Sequence, residues 1–184
     1  MARITLITGG SRSGKSAFAQ RLAEEQPGSR LFVATCTVTD PEMELRILRH
    51  VQDRQKGNWA TVEEPLDLAG QLRQAHRFDT VLIDCLTLWI NNLMFEAAAR
   101  SQVMDEDLVR TESQLLLAAA RAHPGEVIMV TNEVGMGIVP DNPSARLYRD
   151  LIGRCSQSVG TAADRVFLVS CGIPIQIKGK DNVL

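Results

Sequence analysis

Short apolar, β-branched runs alternate with longer stretches of helical periodicity along the whole chain. The runs Arg3 to Thr8, Leu31 to Ala34, Thr80 to Ile83, Glu126 to Thr131 and Arg165 to Ser170 predict buried strands, and Ile173 to Ile177 a short edge strand. Helices are expected over Ser16 to Gln26, Leu66 to Gln74, Leu86 to Ala99, Asp105 to Ala122 and Pro143 to Ala163. Another is expected over Pro41 to Asp53, with Asp40 or Thr39 as its cap. Pro27-Gly28 stops the first helix and His123-Pro124-Gly125 the long one, while QKGNWATVEEP reads as a polar loop. Strands that alternate with helices and are apolar throughout predict an α/β fold, with a mainly parallel sheet covered on both faces. Residues 1–184 are expected to form one domain. Chemistry gathers at the carboxyl ends of such strands, which here read TGGSRSGKS, ATC, DC and TNEVG.

The first of these ends carries the strongest motif. Gly9, Gly10, Ser11, Arg12, Ser13, Gly14, Lys15 and Ser16 match G-x-x-x-x-G-K-[ST] between a predicted strand and a predicted helix, the context of a P-loop NTPase-type sheet. Glycines let backbone N–H groups turn around phosphate oxygens, and the following helix adds its positive end. Lys15 is placed to reach the β- and γ-phosphates, and Ser16 to coordinate Mg²⁺. Asp84, after the strand TVLI, stands where a carboxylate holds the Mg²⁺ shell directly or through water; such a position also suits a helix cap. The nicotinamide-type G-x-G-x-x-G pattern is absent at this loop.

Composition narrows the class. Hydrophobic residues make up 45% of the chain, enough for a core, and the formal net charge of −2 does not suit a general nucleic-acid binder. Cys36, Cys85, Cys155 and Cys171 show neither CxxC nor zinc-site spacing, which reads as reduced thiols in a cytoplasmic protein. The first apolar run is too short for a secretory signal, and no stretch approaches a membrane span.

The three histidines differ in setting. His76 and His123 end helices, where the ring caps carbonyls or faces water. His50 sits between Arg46 and Arg54 on one helical stripe, which could be a solvated face or could lie along a polyphosphate. The neighbouring cations lower the imidazole pKa and keep it neutral, hence nucleophilic. Asn132 and Glu133, at a strand's carboxyl end, read either as site residues or as caps for the glycine-containing loop VGMGIVP. Trp89, Ile90 and Met94 share an apolar helix face whose default place is the core.

Taken with ATC at 34 to 36, M-x-x-R-I-x-x-H ending at His50, W-x-T-x-E at Trp59 to Glu63, TNEVGMGIVP at 131 to 140 and GIPIQIK at 172 to 178, the phosphate loop belongs to a narrower pattern. Over nearly its whole length the chain resembles the bifunctional adenosylcobinamide kinase/adenosylcobinamide-phosphate guanylyltransferases of cobalamin biosynthesis. The resemblance implies that ATP or GTP phosphorylates the aminopropanol hydroxyl of adenosylcobinamide. GTP then donates GMP to adenosylcobinamide phosphate through a GMP–histidine phosphoramidate. That histidine is His50 here. The resemblance also places GTP against residues 9 to 16, Ala34, Thr35, Cys36, Val51, Gln52, Asp53, Arg54, Glu63 and Asp84, with Mg²⁺ as cofactor and a homotrimer as the assembly. Glu63 alone reads equally as a surface glutamate, and Glu64 offers a competing register. Ser156-Gln157 stands where the family has Asn-Gln. Two other readings use the same phosphate loop: a P-loop kinase of one activity, and a nucleotide-dependent switch that binds a protein partner.

Overall fold

A computed structural model describes residues 2–36 and 58–179. The helix expected over Pro41 to Asp53 lies outside these residues, and with it His50, Val51, Gln52, Asp53 and Arg54. Among the described residues, seven strands form one sheet in the order β3-β2-β4-β5-β1-β6-β7. They are β1 (Arg3–Gly9), β2 (Arg30–Ala34), β3 (Trp59–Glu63), β4 (Thr80–Asp84), β5 (Glu126–Val130), β6 (Arg165–Ser170) and β7 (Ile173–Lys178). All neighbours pair in parallel except β7, which returns antiparallel along β6. The helices are α1 (Lys15–Glu24), α2 (Leu68–Gln74), α3 (Leu86–Ala99), α4 (Glu106–Ala122) and α5 (Pro143–Ala162).

The apolar runs become central strands because both of their faces are covered. Along β1, Ile4 and Leu6 join the core under α2 to α5, while Ile7 joins the core under α1; β4 divides Val81 and Ile83 from Leu82 in the same way. Each such side chain contributes about 1.5–3 kcal/mol on leaving water, so a two-sided apolar strand is strongly held in register. Trp89 and Ile90 lie in the core, as their helix face predicts, and the Trp89 indole N–H donates to the Leu66 carbonyl at 2.8 Å.

The helix ends follow ordinary capping chemistry. The Asp67, Asp105 and Asn142 side chains each accept N–H groups from the first turn they precede. His123 is buried; the Gly125 N–H donates to its Nδ1, which leaves Nε2 to donate to the Ala75 carbonyl at 3.1 Å. That ring ties the end of α4 to the end of α2, the carbonyl-capping role expected of it, and His76 stacks on it.

One element departs from expectation. The stretch expected as a polar loop contains β3. An edge strand needs apolar side chains only where it touches the sheet: Ala60, Val62 and Trp59 pack inward, while Thr61 and Glu63 stay exposed. Five residues with that mixture give little periodic signal.

At the amino ends of the strands, buried Glu126 receives Arg3 and Arg165 at 2.5 Å each and the Thr5 hydroxyl at 3.0 Å, tying β5, β1 and β6 together. Glu126→Ala leaves the largely buried Arg165 without its carboxylate and is expected to lower stability by about 3 kcal/mol in urea unfolding. Cys85, Cys155 and Cys171 are free thiols. Burial pushes the Cys155 thiol up to about 11, and burial with the nearby Asp84 carboxylate does the same to Cys85. In a thiol-reagent titration near neutral pH, exposed Cys171 is expected to react while Cys85 and Cys155 wait for unfolding.

Candidate active site

The phosphate loop runs from the end of β1 into α1. Gly9 is pressed between strands: a Cβ there would stand 2.4 Å from the Val169 carbonyl oxygen and 2.8 Å from Ser13 Oγ. Gly14, with φ of 95°, supplies the left-handed turn that opens α1, and its Cα side faces Gly172. The Ser13 N–H donates to the Gly10 carbonyl, and the Gly172 N–H donates to the Ser13 carbonyl, so the hairpin between β6 and β7 props the loop from outside.

Lys15 bends back across this loop, its Nζ donating to the Gly10 carbonyl at 3.0 Å. Burial lowers its pKa from the ordinary lysine value, and the nearby Asp84 carboxylate opposes that. A partly desolvated ammonium of this kind is a strong electrostatic partner for a polyphosphate. Ser13 Oγ is buried and has no hydrogen-bond partner. An orphaned hydroxyl in a loop of backbone donors suits an anionic ligand. Ser11, Arg12 and Ser16 are exposed on the loop and the first turn of α1.

The sheet register joins the other expected site residues. Glu63 pairs with Ala34, Ala34 with Asp84, and Asp84 with Val130, in one rung across the carboxyl ends. Ala34 packs in the α1-side core, and alternation puts Asp84 and Glu63 on that same face. Glu64, the competing register, is used otherwise: its Oε1 accepts the Leu66 and Asp67 N–H groups and shapes the turn into α2.

Thr35 fixes the rung from behind. Its buried hydroxyl donates to the Cys85 carbonyl and accepts the Cys85 N–H, while its own N–H donates to the Asp84 carbonyl. The Asn92 amide in turn holds the Thr35 carbonyl. The Thr35 side chain is thus spent on holding the main chain that follows Asp84.

At the end of β5, Asn132 donates from both its main-chain N–H and its amide to Thr87 Oγ1 on α3. The Glu133 N–H donates to the Gly9 carbonyl at 3.0 Å, and its Oε1 accepts the Thr8 hydroxyl. Both residues thus brace the loop, and both also line a cavity of about 630 Å³ between α5 and strands β1, β6 and β7. Ser156 and Gln157 line it too, and Ser156 Oγ lies 3.4 Å from Thr131 Oγ1.

This arrangement has the parts for holding a nucleoside triphosphate, and the chain's similarities agree. Residues 5–177 match the family described as cobinamide kinase / cobinamide phosphate guanyltransferase. The chain belongs to this family. It is 39% identical to the bifunctional adenosylcobalamin biosynthesis protein CobU of Salmonella typhimurium, over 94% of this chain and 98% of that one. It is equally similar, at 39%, to the bifunctional protein CobP of Pseudomonas aeruginosa, over 95% of this chain and 97% of that one. Among solved structures it is similar to a KaiC-like protein of Pyrococcus horikoshii OT3, with TM-score 0.48 and 20% identity over 90% of this chain and 70% of that one.

The two activities read from the sequence are those of the cobinamide kinase / guanylyltransferase family, and the single-activity kinase is not supported. The structure brings together the phosphate loop, Ala34, Thr35, Cys36, Glu63 and Asp84, while His50 and residues 51 to 54 lie outside what it describes. Sequence reasoning did not find Thr8 or Thr87. Each acts through a partner more than 40 residues away, for which a single chain carries no local signal. Replacing Lys15 by Met removes the cation that the loop encloses. Nucleoside triphosphate affinity is expected to fall at least ~100-fold by calorimetry, with the fold unchanged by circular dichroism.

Proposed function

We propose that the chain phosphorylates the aminopropanol hydroxyl of adenosylcobinamide with ATP or GTP. It then transfers GMP from GTP to the resulting phosphate by way of a GMP–His50 phosphoramidate. The observation that carries this reading is the rung Glu63–Ala34–Asp84 running beside the phosphate loop, since one polyphosphate site can serve both steps. Lys15 and the loop N–H groups would hold the β- and γ-phosphates, with Glu63 and the residues 34 to 36 toward the nucleoside. Arg54 and Arg46 would flank His50 and offset charge that builds on the α-phosphate as nitrogen attacks.

The donor chemistry fits Mg²⁺. Ser16 and Asp84 offer hard oxygen ligands, and Asp84 stands close enough to Lys15 to act on its pKa. Mg²⁺ keeps several waters and is commonly held by one or two protein oxygens together with substrate phosphates. Bound there, it would neutralise phosphate charge during transfer.

A homotrimer belongs to the same reading. Ile173, Ile175 and Ile177 leave an exposed apolar stripe on edge strand β7. No helix among the described residues is long and apolar enough to cross a membrane.

The test is GTP labelled at the α-phosphorus, with Mg²⁺ and no corrinoid. Protein-bound label that survives base, is lost in acid and disappears in His50→Ala is the expected result. A folded chain that binds GTP and takes no label overturns the role of His50.

A further inference from the structure

The cavity beside α5 is not part of the nucleotide rung. Its walls are largely apolar, with Leu6, Ile152, Val166 and Ile177 among them, and its volume of about 630 Å³ is that of a small-molecule site. It lies on the opposite face of the sheet from Asp84, because Leu6 belongs to the core under α2 to α5 and Leu82 to the core under α1. Among the described residues, two charged ones line it. Lys178 is occupied, its Nζ donating to the Gly160 and Thr161 carbonyls. Among the described residues that line it, Glu133 is the one carboxylate. Its main chain is bonded to Gly9, the loop's first residue, and its Oε1 is held by Thr8. Its Oε2 accepts no hydrogen bond among the described residues.

We propose that this cavity receives the alcohol arm of the acceptor and that Glu133 is the general base of the kinase step. The proposal rests on the family's kinase reaction. A neutral alcohol is a poor nucleophile toward phosphorus until its proton is taken as the new bond forms. The acceptor oxygen bonds to the γ-phosphorus, and the bond from that phosphorus to the β,γ-bridging oxygen breaks. The nucleoside diphosphate departs with that oxygen. The hydroxyl proton passes to Glu133 Oε2 and from there to water. Thr8 and the Gly9 carbonyl tie the base to the loop that carries the triphosphate, so base and phosphoryl donor keep one geometry. The cavity can take the arm but not a whole corrin ring. The chain leaves its wall at Gly135 and runs into exposed Met136, Ile138 and Val139, an apolar rim on which the ring can rest.

Two variants of the full chain test this with adenosylcobinamide and γ-labelled triphosphate. Glu133→Gln keeps an oxygen for Thr8 but cannot take a proton. Kinase kcat is expected to fall ~100-fold or more, with the KM for triphosphate moved less than about threefold and the acidic limb of the pH profile lost. Gly153→Leu projects into the cavity, where a Cβ on Gly153 meets no atom within 4 Å. The acceptor KM is expected to rise at least ~10-fold while the triphosphate KM holds. Wild-type turnover with Glu133→Gln within about threefold of it overturns the base, and an unchanged acceptor KM in Gly153→Leu overturns the cavity. A wild-type chain that binds triphosphate yet phosphorylates no corrinoid brings down the kinase reading itself, and this proposal with it.

Discussion

The site depends on how closely three parallel strands approach at one point. β1 ends between β5 and β6, and its last residue must give its carbonyl to the Glu133 N–H while lying against the Val169 carbonyl. No side chain fits there. From that pinch the chain has one way out, through the phosphate loop, and the tripod of Gly9, Ser13 and Gly172 sets the loop's shape before any ligand arrives. Buried strands supply the force that keeps the pinch in place: a slip of one residue in β1 would turn Ile4 and Leu6 out of their core and bring Thr5 in.

The two edges of the sheet are built from different chemistry. At the amino ends a buried carboxylate is satisfied by two guanidinium groups and a hydroxyl, so its charge is spent on joining strands. At the carboxyl ends the polar groups are held by neutral clamps. Thr35 grips the Asp84–Cys85 main chain and Thr87 grips Asn132, so hydroxyls rather than ion pairs fix the backbone there. Ion pairs thus join the strands at one end of the sheet and neutral hydroxyl clamps hold them at the other.

Much of this was legible in the chain itself. Apolar runs marked the central strands because both of their faces are buried, and the glycine pattern with Lys15 marked the loop because phosphate binding has few solutions. Strand β3 was not legible, since an edge strand with Thr61 and Glu63 facing water looks like a loop. The register that aligns Glu63, Ala34 and Asp84 was not legible either. Pairing between strands separated by tens of residues leaves no mark in local sequence. For the same reason the threonine clamps read as ordinary polar residues. His50 stood out through its arginine neighbours, while the family likeness, rather than any local pattern, gave it a role.

Alternation along the strands makes the sheet a partition. Asp84 and the rung it belongs to open toward α1, whereas Thr8 and Glu133 open toward α5. A wall one backbone thick therefore divides the face that carries the rung from the cavity beside α5. With the acceptor arm seated as proposed, the α5 side would stay occupied while the nucleotide side is emptied and refilled, the traffic pattern that two successive reactions on one molecule require.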